Sequence, residues 1–218
     1  MKEIKTDGIT YLREVNGATN RWYYGLDQSQ GDLCEAEEIF KAGKPVKTRK
    51  LCLVHYPEGT VYFPIPEKEG QYCEEPVFFK DSIYILNVDF YAGKIQILKF
   101  DCTSYKTDIY KELSLSCVKD CYNLKLNISP LTLTRQCVLN NEFEIIWPER
   151  ISFKMDDHDS FFLRDADRLI FNRWHEEGEG DDYIYFEETV IRDLSGNVIE
   201  TYKGDMMLMP NGEIWHIS

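Results

Sequence analysis

The chain has 218 residues, 43% of them hydrophobic and 14% aromatic, and a formal net charge of −13 at pH 7. Plentiful aromatic and β-branched residues exclude a disordered polypeptide, and the length suffices for one large core or a row of small ones. The negative charge, with no run of Lys or Arg, argues against nucleic acid and anionic membrane surfaces as partners.

In chain order, residues 9–26 (ITYLREVNGATNRWYYGL) read as two strands around the turn Asn16-Gly17. Residues 32–43 are the one predicted helix: Asp32 can cap it, Leu33, Ala36, Ile39 and Phe40 share a face, and Gly43 and Pro45 end it. Strand patterns follow at 51–55, 61–65, 77–79, 83–88 and 95–100. They resume at 124–128, 131–134, 137–139, 143–147 and 151–155, with Asn140-Asn141 as a two-residue hairpin turn. The last third adds 161–163, 169–173, 183–191, 198–201, 206–209 and 213–217. No apolar run is long enough to cross a membrane as a helix, and the N-terminus lacks the apolar segment of a signal peptide. The expected compartment is the cytoplasm. The seven cysteines, odd in number and without a CxxC pair, fit free thiols packed as small hydrophobes.

Four segments align on a glycine followed by a polar residue and then Val or Ile: Tyr56 to Val61, Phe90 to Ile95, Asp193 to Val198 and Met209 to Ile214. This pattern suits a three-residue hairpin loop closed by a residue in the left-handed region, which glycine enters without a Cβ clash. Pro57 and Pro210 sit where a fixed φ suits the turn. A longer similarity relates PVFFKDSIYILN (76–87) to DSFFLRDADRLIFN (159–172), and more loosely to GDMMLMPNGEIWHI (204–217). Repeats of about 40–50 residues, each with several strands, are typical of propeller blades.

From about residue 51 to the end the chain resembles a small β-propeller, in architecture only. The resemblance implies an all-β fold in a single domain, residues 1–218, with four or five antiparallel blades. The N-terminal strands would complete the blade begun by the last hairpin. A β-sandwich or barrel is the alternative.

Two stretches hold clustered charges. KMDDHDSF (154–161) reads as a solvated loop between strands, and Glu176 to Asp182 as an acidic surface loop. No nucleophile motif, HExxH, phosphate-binding loop or dinucleotide fingerprint occurs, so no catalytic residue, metal or cofactor is implied. Trp22, Tyr24, Trp174, His175 and Trp215 are the candidate binding residues, because aromatics beside hairpins can stack on a ligand at a concave site. The expected function is non-catalytic binding of a protein or small molecule by a monomer. The alternative is a carbohydrate-active enzyme working through carboxylates in a central pocket.

Overall fold

The computed structural model describes residues 1–27, 31–209 and 211–218. The expected role of Pro210 in its turn lies outside the described residues. The fold is all-β with several antiparallel sheets, and its contacts divide it into two compact units, residues 1–128 and 129–218.

In the first unit, β1 (Arg13–Glu14), β2 (Trp22–Leu26), β3 (Leu51–His55) and β4 (Thr60–Tyr62) pair in sequence order. Helix α1 (Leu33–Lys41) is inserted between β2 and β3. Asp32 and Glu35 form a reciprocal capping box at its start, satisfying two otherwise orphaned N–H groups. Its buried face is Leu33, Ala36 and Glu37, with Ile39 and Phe40 only half-buried. Glu37 tolerates burial because Cys121 N donates to it (3.0 Å) and Lys41 pairs with it (3.0 Å). The second sheet holds β5 (Gln71–Cys73), β6 (Val77–Phe79), β7 (Ser82–Asp89), β8 (Lys94–Asp101) and β9 (Thr107–Ser114), followed by β10 (Lys125–Ile128). β5 and β9 carry no strand signal in the sequence. β9 is largely exposed and polar, so no apolar alternation marks it. A core of Val15, Trp22, Leu53, Ile83, Ile85 and Phe100, among others, joins the faces of these sheets.

In the second unit, β11 (Leu131–Cys137), β12 (Glu142–Trp147) and β13 (Ile151–Lys154) pair in order. So do β14 (Asp159–Asp165), β15 (Arg168–Glu177), β16 (Ile184–Arg192) and β17 (Val198–Lys203). β18 (Asp205–Leu208) and β19 (Ile214–Ile217) form a two-stranded sheet. Thus β1 and β2 complete a sheet with β3 and β4, where the sequence predicts that they complete the sheet of the last hairpin. Phe143, Phe161 and Phe171 form the centre of the core, with ring centroids 4.7–5.4 Å apart. The turn predicted at Asn140-Asn141 is longer: Cys137 pairs with Glu142 across four residues, and of the two asparagines only Asn141 takes positive φ (53°).

The four aligned glycines all have positive φ: 70° at Gly59, 63° at Gly93, 88° at Gly196 and 87° at Gly212. In three, the glycine N–H donates three residues back, to Phe90 O (3.3 Å), Asp193 O (3.0 Å) and Met209 O (2.8 Å). The first turn is one residue wider, from Gly59 N to His55 O (2.7 Å), and holds a cis Tyr56–Pro57 bond that its sequence did not signal. A Cβ at Gly93 would meet nothing within 4 Å, so Gly93→Ala isolates the backbone cost. It should lower stability by about 1–2 kcal/mol in denaturant titration. No measurable loss would mean that the turn relaxes to negative φ.

All seven cysteines are free. Burial pushes the Cys73 thiol up to about 12, so it behaves as a small apolar side chain. Among the described residues no helix is long and apolar enough to cross a membrane.

Candidate functional site

A polar cleft of ≈ 570 Å³ opens in the first unit. One wall is the segment from Asp7 to Tyr11, the other the end of β2 from Tyr24 to Asp27, and Arg13, Arg49, Lys50 and Glu75 complete it. Gly25 sets the distance between the two walls: a Cβ there would collide with Ile9 Cγ2 and lie 2.9 Å from Tyr11 O. Any other residue would push the first wall away from β2.

Tyr24 is buried, yet its hydroxyl faces the cleft between Arg13 and Glu75. Burial, then the Glu75 carboxylate, pushes the phenol up to about 12, so it stays protonated at neutral pH. Arg13 Nη1 pairs with Glu75 at 2.7 Å, and its guanidinium lies 5.6 Å from the Tyr11 ring centre. Deeper, buried Arg49 donates to Cys73 O (3.3 Å) and Asp27 O (3.4 Å), pairs with Glu74 (3.3 Å) and lies over the Tyr72 ring. Lys50 bridges Asp7 (3.1 Å) and Glu67 (3.0 Å). Three cations thus line the cleft, each with an acidic partner, and its described lining contains neither His nor Cys.

Tyr24 and Glu75 also face a second cleft of ≈ 360 Å³ beside the start of α1, with Glu74, Cys34, Cys121 and Lys125 in its wall. Glu74 is held by Arg49 and by Leu33 N (2.8 Å), while burial raises its carboxyl above the usual range.

The other candidate residues lie elsewhere. Trp22 is 3% exposed and packs against His55, Tyr62 and Phe100, which makes it a core residue in this structure. Trp174 stacks on His158 (3.7 Å), and His175 stacks on Phe186 (4.5 Å) and contacts Glu188 (2.9 Å). Being adjacent on β15, Trp174 and His175 project to opposite faces. Trp215 is exposed on β19, its indole donating to Glu213 (3.1 Å). Arg13, Arg49 and Glu75 carry no motif that would single them out. Only the fold brings them to Tyr24.

The stretch predicted to be a solvated loop at 154–161 is different. Asp159 is buried and salt-bridged to Arg173 and Arg192 at 2.6 Å each, and Asp156 joins the same two arginines at 2.6 and 2.8 Å. Sequence spacing gave no sign of this cluster because both arginines come from later strands. Among the described residues no group of three or more His, Cys, Asp or Glu is arranged to hold a metal ion.

No protein-family model matches the chain, and no curated protein matches it in sequence.

Proposed function

We propose that this chain is a non-catalytic binding module on a small propeller-like array of antiparallel sheets, and that its first unit takes a polar small molecule. The observation that carries this reading is the group formed by Tyr24, Arg13 and Glu75 in the wall of the ≈ 570 Å³ cleft. A neutral phenol beside an ion pair offers donors and acceptors in a fixed arrangement. The ligand is accordingly one rich in both, a short saccharide or an amino-acid zwitterion. Support for the propeller-like part is the consecutive up-and-down order of the four-stranded sheets. A carbohydrate-active enzyme would need two carboxylates about 5–10 Å apart, one of them able to give up a proton. The geometry favours it less: Glu75 and Asp7 in the cleft wall are each paired with a cation, and Glu74, the carboxyl that burial raises, lines the second cleft instead.

The test is calorimetry against a panel of saccharides and amino acids, with Tyr24→Phe alongside the parent. Removing one hydroxyl that contacts the ligand should weaken binding about tenfold, as expected for a hydrogen bond near charged groups. A panel without a binder, or a Tyr24→Phe protein that binds unchanged, would refute the cleft. Turnover of any saccharide would refute the non-catalytic reading.

A further inference from the structure

The two central strands of the second unit run past the strands that flank them. β14 pairs with β15 only as far as Arg173, and β17 pairs with β16 only from Glu188. Beyond those points β15 and β16 pair with each other alone, from Trp174 opposite Glu187 to Glu177 opposite Ile184. Among the described residues no third strand pairs with this arm. Its outward backbone groups, at 174–177 and 184–186, form a strand edge of the kind that accepts another strand.

The arm's chemistry is one-sided. Residues 174–187 (WHEEGEGDDYIYFE) contain six carboxylates and neither Lys nor Arg. Charged side chains and proline keep strand edges from associating indiscriminately; here the charge is of one sign only, so the edge repels acidic or like segments and leaves basic ones free to approach. Its large side chains face solvent: Tyr183 is 50% exposed, Ile184 56% and Tyr185 52%. The surface is also ordered in advance. Tyr183 donates to Glu176 (2.8 Å), Tyr185 donates to Glu187 (2.6 Å), and Trp174 rests on His158.

We propose that this arm is a docking edge for a basic segment of a protein partner, which adds to it as a third strand. Charge complementarity selects the occupant, since an acidic strand is repelled and a neutral one leaves the carboxylates unanswered. Alternate Lys or Arg stems of the added strand cover the face that carries Tyr185, their charged ends reach the carboxylates, and the aromatic faces attract the same cations. The site is independent of the cleft in the first unit, and either can fail without the other.

The probes are synthetic peptides of about eight residues, a common strand length: one alternating Lys and Thr, one alternating Glu and Thr, and one all Lys. Calorimetry at low salt should show binding of the Lys–Thr peptide and none of the Glu–Thr peptide. The variant Glu176→Gln/Glu177→Gln/Glu179→Gln/Asp182→Asn should weaken binding about tenfold or more. Asp81→Asn/Asp108→Asn, which removes two exposed charges in the first unit, should change it less than about twofold. In the complex, amide exchange at 174–177 or 184–186 should slow. Failure of the Lys–Thr peptide to bind overturns the proposal, as does an equal loss in the first-unit variant. All-Lys binding as tight as Lys–Thr, with no slowed exchange on the arm, reduces the effect to bulk charge and overturns strand addition.

Discussion

Replacing Arg192 by methionine is expected to cost about 3–5 kcal/mol of stability, because it leaves a buried carboxylate short of a partner. Arg192 is 5% exposed at its side chain and Asp159 is fully buried, with 2.6 Å between them. The same guanidinium also binds Asp156 and Gly196 O (2.8 Å each) and lies over the Phe171 ring. Arg173 remains on Asp159 in the variant, so one cation still faces two carboxylates. Denaturant titration gives the loss. Adding Asp159→Asn should recover part of it, since the charge that suffers is then gone. A loss below about 1 kcal/mol would mean that water reaches Asp159 once the arginine is removed.

Trp22→Ala should be similarly costly, at about 3–5 kcal/mol, whereas Trp215→Ala should stay within about 0.5 kcal/mol. The contrast comes from burial. The Trp22 ring has neighbours at 4.5 Å (His55), 5.6 Å (Phe100) and 5.8 Å (Tyr62), and truncation leaves a cavity among them. Trp215 is 49% exposed. Midpoints from thermal or denaturant unfolding decide the matter. Equal effects at the two positions would show that Trp22 is not the core residue its packing makes it.

Local signals were legible wherever they depend on a few neighbouring residues. The helix announced itself through Asp32 at its start and Gly43 and Pro45 at its end, and the left-handed glycines through a turn chemistry that only glycine accommodates cheaply. Most strands showed the apolar alternation of a half-buried sheet. β9 did not, because its side chains are polar and exposed and its place comes from pairing with β8. The cis bond before Pro57 was likewise hidden, since an X–Pro pair reads the same in either isomer.

The candidate sites divide along the same line. Tyr24 was visible as an aromatic beside a hairpin, while Arg13, Arg49 and Glu75 arrive from the strand before it, the connection leading into β3 and the connection after β5. The acidic character of 176–182 could be read directly. That it belongs to an arm running beyond its flanking strands depends on how far β14 and β17 extend, and so on pairing. Asp159 looked like a loop residue because its nearest sequence neighbours are polar, and the arginines that bury it lie 14 and 33 positions away. The sequence by itself determined the all-β class, the left-handed glycines of four turns, the helix cap and the sign of the surface charge, because each arises from propensity or composition within a short window. Only the tertiary structure decided which charges are buried, which aromatics are core and which walls enclose a cleft. Burial and ion pairing depend on residues distant in the chain, and no local pattern encodes their distance in space.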